Sequence, residues 1–254
     1  MTSPAAQEFW DQLRLTTQSR IGLGRAGNAL PTTRVLEFTA AHAAARDAVH
    51  IPLDVSAFAT RVAAIGLGEP AEVVSQATSR GEYLRRPDLG RLPSSLEKVT
   101  ARSAEIGVVL ADGLSPRALV DHGVGLLSAL AAALEPYSIA APVIATQARV
   151  ALGDHIGARM GVATLIVIIG ERPGLSVADS LGIYITHQPR VGRTDADRNC
   201  ISNIHPPEGL GYADAARVVA GLVAGARRLG RSGVDLKDTS RADELGAAAA
   251  LTLE

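Results

Sequence analysis

The side chains best suited to chemistry lie together in one segment, residues 163–206. The only cysteine of the chain, Cys200, stands there near Asp195, Asp197 and His205. Such groups can in principle activate a thiolate for nucleophilic attack. Closeness in sequence does not establish the geometry of a catalytic site, and lone cysteines are most often inert buried residues. Contact with a bound ligand is therefore the preferred role of Cys200, and catalysis is the alternative.

Polar residues also follow several apolar runs of strand length. The run Thr164–Ile169 suits a strand buried on both faces, and the loop Gly170–Gly174 follows its carboxyl end. Open parallel sheets bind their ligands outside the carboxyl ends of the strands. Four segments in such positions are predicted to converge on one crevice: the loops at Asp112, Arg149 and Glu171, and the segment that ends at Cys200.

Several familiar sites do not match the sequence. The loop GERPGL (Gly170–Leu175) is followed by no Lys-Ser/Thr pair, which excludes a P-loop. Gly22, Gly24 and Gly27 have the spacing G-x-G-x-x-G, but no strand precedes them, so they are weak evidence for a dinucleotide site. One cysteine and scattered histidines lack the ligand spacing of zinc, so no metal site is predicted. The net charge of −1 excludes the basic footprint of a nucleic-acid-binding protein.

Composition indicates a protein with an aliphatic core in a reducing compartment. Apolar residues form 47% of the chain and aromatic residues only 3%, so Ala, Val, Leu and Ile must supply the packing. A single cysteine excludes an internal disulfide framework and fits the cytoplasm. The first twenty residues lack the apolar core of a secretory signal, and no run reaches membrane-spanning length, so no membrane association is expected.

The first hundred residues are predicted to form a smaller helical domain without a catalytic constellation. Its polar run Arg80–Arg91 is either a solvated surface or an interface patch. A Gly-rich basic segment, Arg20–Pro31, is expected to be a loop. Thr32 or Thr33 is a candidate helix cap. The predicted helices are Pro4–Ser19, Thr32–His50, Leu53–Ala64 and Pro70–Thr78.

From residue 101 onward, strands and helices alternate. Ser115 suits an N-cap and Pro116 a first helical residue. Repeated strand, loop and helix units imply a parallel sheet with helices on both faces. The predicted fold class is α/β, with a Rossmann-like domain at residues 101–254 behind the helical domain at residues 1–100. The predicted strands are Ile106–Ala111, Pro142–Thr146, Thr164–Ile169 and Ile183–His187, and the helices are Pro116–Leu134, Asp154–Met160 and Tyr212–Leu229.

Longer motifs carry a resemblance to a known family. The phrases GERPGL, DSLG (Asp179–Gly182), RTDADRNCISNIHP (Arg193–Pro206) and RVALGDHIG (Arg149–Gly157) resemble the small, or light, subunit of ethanolamine ammonia-lyase. So do SRGEYLRRPDLGR (Ser79–Arg91) and RIGLGRAGNALPT (Arg20–Thr32). The likeness runs in the family's order from about residue 20 to about residue 235. It favours partner contact for the Arg20–Pro31 loop.

The resemblance implies an adenosylcobalamin-dependent lyase that works only with a large barrel subunit in a hetero-oligomer. In that family a cobalt-carbon bond breaks to give an adenosyl radical, and ethanolamine becomes acetaldehyde and ammonia. The cofactor lies between the Rossmann-like domain and the barrel mouth, and the large subunit holds the substrate. On the matching motifs, the cobalamin contacts carry over to Val150, Glu171 and Cys200. No catalytic residue is assigned to this chain. Glu171 is expected to accept hydrogen bonds from corrin amides, and a loop ion pair with Arg172 is its alternative role.

One absent motif bears on the cobalt ligand. Proteins that replace the lower base of cobalamin with histidine carry D-x-H-x-x-G, whereas here Asp154 directly precedes His155 and Asp121 directly precedes His122. The cofactor is therefore expected to stay base-on, as the resemblance also implies.

Two other functions stay open on the sequence: a stand-alone enzyme that uses Cys200, and a scaffold that binds the large subunit without touching cobalamin. Location in a bacterial microcompartment is also open, because longer family members carry an N-terminal extension and here about twenty residues precede the matching region.

Overall fold

The structure, a computed structural model, describes residues 4–101 and 103–239. A six-stranded sheet with the order β1-β3-β2-β4-β5-β6 forms its centre. The strands are β1 (Ala71–Val74), β2 (Ile106–Ala111), β3 (Val143–Thr146), β4 (Thr164–Gly170), β5 (Leu181–His187) and β6 (Asn199–Ile204). The helices are α1 (Pro4–Arg14), α2 (Thr32–His50), α3 (Val55–Ala63), α4 (Arg80–Arg85), α5 (Pro116–Ala133), α6 (Leu152–Met160) and α7 (Tyr212–Leu229). The α/β fold class is confirmed.

The prediction of a parallel sheet holds for one part of the sheet only. Strands β1 to β4 are parallel to one another, but β5 runs antiparallel to β4, with Thr164 opposite His187 and Gly170 opposite Leu181. Strand β6 is in turn antiparallel to β5. The reason is the short link between β4 and β5, residues 171–180, because a parallel neighbour needs a longer crossover that usually contains a helix.

The predicted helix Pro70–Thr78 is wrong, since Ala71–Val74 forms the edge strand β1. Ala71 is paired with Val143 of β3, and Val73 is buried on the sheet while its neighbours are not. Pairing with β3 outweighs the weak helical pattern of a segment rich in valine. The sheet therefore includes residues from the first hundred, which are not purely helical.

Local signals located the long helices well. Helix α5 begins at Pro116, and the Ser115 hydroxyl accepts a hydrogen bond from the Ala118 amide at 3.2 Å, as predicted. Helix α7 has the predicted bounds. The predicted cap of α2 is wrong, because Pro31 takes the cap position and no side chain caps the helix. Gly22, Gly24 and Gly27 lie in the loop between α1 and α2 with positive φ angles.

Two aliphatic cores lie on opposite faces of the sheet. Alternate side chains of β2 and β4, such as Leu110 and Ile166, pack with α3, α5 and α7. Their neighbours, such as Val109 and Val167, pack with α6 on the other face. Full burial of β2 and β4 explains their continuous apolar sequences. Over residues 4–101 and 103–239, no helix has both the length and the apolar character to cross a membrane.

Candidate functional site

The order of the strands opens a crevice between β2 and β4. The chain passes from β2 through α5 to β3 on one side, and from β3 through α6 to β4 on the other. Helices α5 and α6 therefore lie on opposite faces of the sheet, and open sheets bind ligands at the carboxyl ends of the strands where the strand order reverses. The loops after β2 and β4 touch at Gly113 and Gly170, where the Leu114 amide donates to the Gly170 carbonyl at 2.9 Å. A Cβ on Gly170 would overlap the Ser115 carbonyl oxygen, so only glycine fits.

Asp112, at the end of β2, fixes the loop that follows β3. Its carboxylate is buried and accepts hydrogen bonds from the amides of Gln147 at 2.8 Å and Ala148 at 3.1 Å. Arg80 of α4 lies 3.4 Å from the same carboxylate. Burial raises the pKa of Asp112, and Arg80 and the two amides oppose that rise. Gln147 is held at a φ of 53°, a strained conformation that these contacts maintain.

Tyr83 of α4 supports the same loop from the side. The buried Tyr83 hydroxyl donates to the Ala148 carbonyl at 3.0 Å, and burial raises the pKa of Tyr83 to about 12. The guanidinium groups of Arg80 and Arg149 lie 4.8 Å and 4.5 Å from the centre of the Tyr83 ring. Both distances suit cation-π contacts. The Arg80–Arg91 run is therefore more than a solvated surface, because its first residues brace the loop that carries Arg149.

An open groove with two lobes runs past this loop. The switch-point lobe, of about 290 Å³, lies over the ends of β2 and β4 and includes Gly113, Leu114, Gly170, Glu171 and Arg172. The arginine lobe, of about 400 Å³, lies beside the start of α6 and includes Arg91, Arg193, Thr194, Asp195 and Arg198. Both lobes share Arg149, Val150 and Tyr184.

Val150 and Glu171 both line this groove. Val150 lies half-buried between β3 and α6, in the wall that the two lobes share. Glu171 follows β4 directly, and its Oε2 accepts hydrogen bonds from the Ser180 hydroxyl at 2.6 Å and the Asn203 amide at 3.2 Å. These hydrogen bonds hold the carboxylate in place. Among the residues that the structure describes, Glu171 forms no ion pair with Arg172. The alternative role of Glu171 as a partner of Arg172 is therefore wrong.

Cys200 reaches the groove indirectly. It lies in strand β6 and not in a loop after β5, so the predicted fourth exit loop is wrong in this detail. Because β5 is antiparallel to β4, the carboxyl end of β5 lies at the opposite end of the strands from the groove. Strand β6 runs back and places Cys200 opposite Tyr184. The Cys200 side chain lies beside that of Tyr184, which lines the wall shared by the lobes, and the Tyr184 hydroxyl lowers the pKa of the thiol.

The surroundings of Cys200 do not activate its thiol. Cys200 is exposed as a whole residue, but partial burial raises the pKa of its thiol; the Glu171 charge raises it further, whereas the Tyr184 hydroxyl lowers it. The proposed bases are engaged elsewhere: Asp197 accepts from Thr194, and the His205 ring is bonded to the Asn203 side chain at 2.8 Å. A thiol with a raised pKa is a poor nucleophile. The geometry therefore gives no support to catalysis by Cys200.

Sequence reasoning missed two features of the groove. Tyr184 lines both lobes, and burial raises its pKa to about 12. Its position between Ile183 and Ile185, which face the other core, is the signal that would have marked it as facing the groove.

The second missed feature is a buried ion pair. Arg198 donates to both carboxylate oxygens of Asp154 at 2.7 Å and 2.6 Å, and the two side chains are 1% and 2% exposed. Arg198 also donates to the Thr186 hydroxyl at 2.9 Å and the Arg193 carbonyl at 3.2 Å. The pair holds the segment 188–198, one wall of the arginine lobe, against α6. No local pattern indicates this contact, because the two residues lie on different elements.

In residues 4–101 and 103–239, no cluster of three or more His, Cys, Asp or Glu side chains is arranged to hold a metal ion.

Comparison with known proteins agrees with the motifs. The family model described as ethanolamine ammonia-lyase light chain (EutC) matches residues 7–237. The chain is 71% identical over 248 residues to the ethanolamine ammonia-lyase small subunit of Rhodococcus erythropolis, which covers 97% of this chain and 96% of the relative. It is 46% identical over 256 residues to the small subunit of Azotobacter vinelandii, with 97% and 94% covered. With that of Ralstonia nicotianae it shares 46% over 244 residues, with 92% and 90% covered. The chain therefore belongs to the ethanolamine ammonia-lyase light chain family.

Proposed function

We propose that this chain is the small subunit of an adenosylcobalamin-dependent ethanolamine ammonia-lyase, which converts ethanolamine to acetaldehyde and ammonia by a radical mechanism. Its role is to clamp the cobalamin against a large barrel subunit that holds the substrate. One observation carries the proposal: in a chain of this family, Val150 and Glu171 line one open groove at the switch point of the sheet, and Cys200 joins it through Tyr184.

The chemistry of the groove fits part of a large ligand. Val150 offers an apolar wall to the corrin ring. Glu171 binds Ser180 and Asn203 through Oε2, so its Oε1 is available to accept from the amide groups at the corrin rim. The two lobes, of about 400 Å³ and 290 Å³, lie near the lower limit of the range of about 300–1,000 Å³ for ordinary ligand pockets. Only one side of a corrin ring can therefore contact this groove, and a second protein surface must cover the other side.

A large subunit would supply that second surface. Helix α2 spans 19 residues, and Ala48 is the only one of them that is buried. Leu36 and Phe38 of α2 are 63% and 46% exposed, and Phe9 of α1 is 59% exposed. Exposed apolar groups in this number favour a protein interface. We assign partner contacts to residues 1–100, with the exception of β1, and cobalamin contacts to the Rossmann-like part at residues 101–254, within a hetero-oligomer.

The cofactor supplies the radical chemistry when it is bound. The residues of this chain bind and orient it and keep water from one of its sides, so none is assigned a catalytic role. Neither His122 nor His155 lines the groove: His122 is bonded to the Tyr212 hydroxyl at 2.7 Å, and His155 lies on α6. The absence of D-x-H-x-x-G and the placement of these histidines both support a base-on cofactor. A protein histidine on cobalt in the spectrum of the bound cofactor would contradict this.

We place the complex in the cytoplasm, because an exposed free thiol at Cys200 suits a reducing compartment. Residence inside a bacterial microcompartment is a separate proposal. Co-sedimentation of the complex with shell proteins in a cell extract would support it, and recovery in the soluble fraction alone would reject it.

Co-expression with a large subunit tests the proposed function. This chain alone, the large subunit alone and the pair are each assayed with ethanolamine and adenosylcobalamin for acetaldehyde. We expect activity in the pair only. Activity in the lone chain, abolished by Cys200→Ser, would establish the independent enzyme instead. Full turnover by the large subunit without this chain would reduce the chain to a scaffold.

A further inference from the structure

The arginine lobe carries more positive charge than its neighbours neutralise. Arg198 is paired with Asp154, and Asp195 lies 3.5 Å from the same arginine. Arg193 lies 3.4 Å from Asp197 and also donates to the carbonyls of residues 187 and 188. Arg91 and Arg149 form no ion pair with any carboxylate in the described part of the chain. Two arginines therefore face this lobe without a carboxylate partner.

Arg149 is held in place for contact with a ligand. Its backbone amide donates to the Gly90 carbonyl at 2.8 Å, and its guanidinium lies on the Tyr83 ring. Its Nε is buried and lacks a hydrogen-bond acceptor among the residues that the structure describes. The positive charge of Arg80, which also lies over the Tyr83 ring, adds repulsion. An anion in the lobe would offset this repulsion.

The two lobes differ in the charged groups that line them. The switch-point lobe holds the Glu171 carboxylate, which suits amide donors, beside Arg172 and the shared Arg149. Arg91 and Arg149 present guanidinium groups to the arginine lobe, and such groups bind phosphate oxygens strongly and with defined geometry. Val150 and Tyr184 separate the two environments.

We propose that the arginine lobe binds the phosphodiester of the cobalamin nucleotide tail, with Arg149 and Arg91 as its anion-contacting residues. This inference rests on the proposed function and gives the cofactor a direction in the groove. The side chains of the corrin rim are neutral amides, whereas the link to the lower base contains a phosphodiester that carries one negative charge. The tail therefore lies in the arginine lobe, and amides of the rim lie beside Glu171.

Ligands that differ only in the tail test the assignment on the co-expressed pair. Dissociation constants are measured for adenosylcobalamin, adenosylcobinamide phosphate, which keeps a phosphate but lacks the base, and adenosylcobinamide, which lacks both. The variants are Arg91→Gln and Arg149→Gln. The matched control is Arg190→Gln, an exposed arginine of the segment 188–198 that lies outside the groove lining. Inorganic phosphate is added as a competitor in parallel.

We expect each groove variant to weaken the two phosphate-bearing ligands about tenfold and adenosylcobinamide less than about twofold, because a charged hydrogen bond is lost only where a phosphate is present. Arg190→Gln should change no ratio between ligands. Phosphate should compete with adenosylcobalamin and leave adenosylcobinamide unaffected.

Other outcomes overturn the assignment. Equal losses for all three ligands would mean that the arginines act through the fold. A loss for adenosylcobalamin alone would mean that they contact the base or the ribose. No loss for any ligand would remove them from the site. Arg91 is exposed, so its variant keeps the test valid if Arg149→Gln disturbs the stacking on Tyr83. A wild-type pair that binds none of the three ligands would instead reject the proposed function itself.

Discussion

Tyr184 of β5 and Cys200 of β6 are directly opposed in the antiparallel ladder, so their side chains lie next to each other on one face of the sheet. Through this contact Cys200, which lines neither lobe, is coupled to the wall that both lobes share. This proximity also affects titration, because the Tyr184 hydroxyl lowers the pKa of Cys200 against the larger effect of burial.

Tyr184→Phe should raise the pKa of Cys200 further and slow its alkylation. The reason is that the variant removes the one contact that stabilises the thiolate. Since Cys200 is the only cysteine of the chain, the rate of iodoacetamide reaction against pH reports on it alone. Tyr137→Phe, distant from the thiol, is the control and should leave the profile unchanged. Faster alkylation in Tyr184→Phe would show that the hydroxyl restrains access to the sulfur and does not stabilise the thiolate.

Asp112→Asn should destabilise the protein at neutral pH. The asparagine side chain keeps one acceptor oxygen but turns its NH2 group toward the backbone amide of Gln147 or Ala148. The substitution also removes the negative charge that pairs with Arg80. We expect a loss of about 2–4 kcal/mol in the free energy of unfolding, measured with urea. Asp121→Asn, which removes an exposed pair with Arg117, should change it by less than about 0.5 kcal/mol. Equal effects of the two variants would contradict the anchoring role of Asp112.

The same residue gives a pH dependence with a defined sign. Its folded pKa is raised, so the folded state binds the proton more tightly than the unfolded state does. The contribution of Asp112 to stability is therefore largest below the unfolded value of about 4 and falls as pH rises toward the folded value. The stability difference between wild type and Asp112→Asn should shrink from pH 4 upward. A difference that grows with pH over that window would mean that Arg80 and the amides outweigh burial.

Breaking the buried ion pair should loosen one wall of the arginine lobe. Arg198→Met leaves the Asp154 carboxylate buried without its partner, and we expect a loss of about 3–5 kcal/mol in urea unfolding. The double variant Asp154→Leu with Arg198→Met should recover much of it, because neither charge is then left alone. A double variant as unstable as the sum of the two single variants would show that the pair does not act as a unit.

Gly170→Ala should disturb the contact between the loops after β2 and β4. Its Cβ would overlap the Ser115 carbonyl oxygen, and backbone atoms cannot move aside as a side chain can. We expect a loss of about 3 kcal/mol or more in the free energy of unfolding. Gly174→Ala, in the same loop, meets only the Val177 carbonyl at 3.4 Å and should cost about 1 kcal/mol or less. Similar losses at both positions would argue against the close approach at Gly170.

Much of the parallel part of the fold could be predicted from the sequence because its signals are local. Ser115 and Pro116 mark the start of α5, and the apolar run of β2 identifies a strand buried on both faces. Strand β1 could not be predicted in this way, since Val73 is buried only through pairing with β3. The direction of β5 depended on the length of its link to β4, which local periodicity does not report.

The site shows the same division. Glu171 directly follows β4 and Val150 lies in the loop after β3, positions where open sheets bind ligands, so motif and fold point to the same residues. Tyr184 and the pair Asp154–Arg198 depend on the register of β5 with β6 and on the packing of the segment 188–198 against α6. These are contacts between separate elements, and no spacing along the chain encodes them.

The central claim is that this chain forms one side of the cobalamin site, and equilibrium dialysis of adenosylcobalamin tests it most directly. The samples are the pair, the large subunit alone, and the pair with Glu171→Ala. We predict stoichiometric binding by the pair, much weaker binding by the large subunit alone, and a loss of about tenfold in the variant from the missing charged acceptor. Binding by the large subunit alone that is as tight as that of the pair, with no effect of Glu171→Ala, would contradict the account.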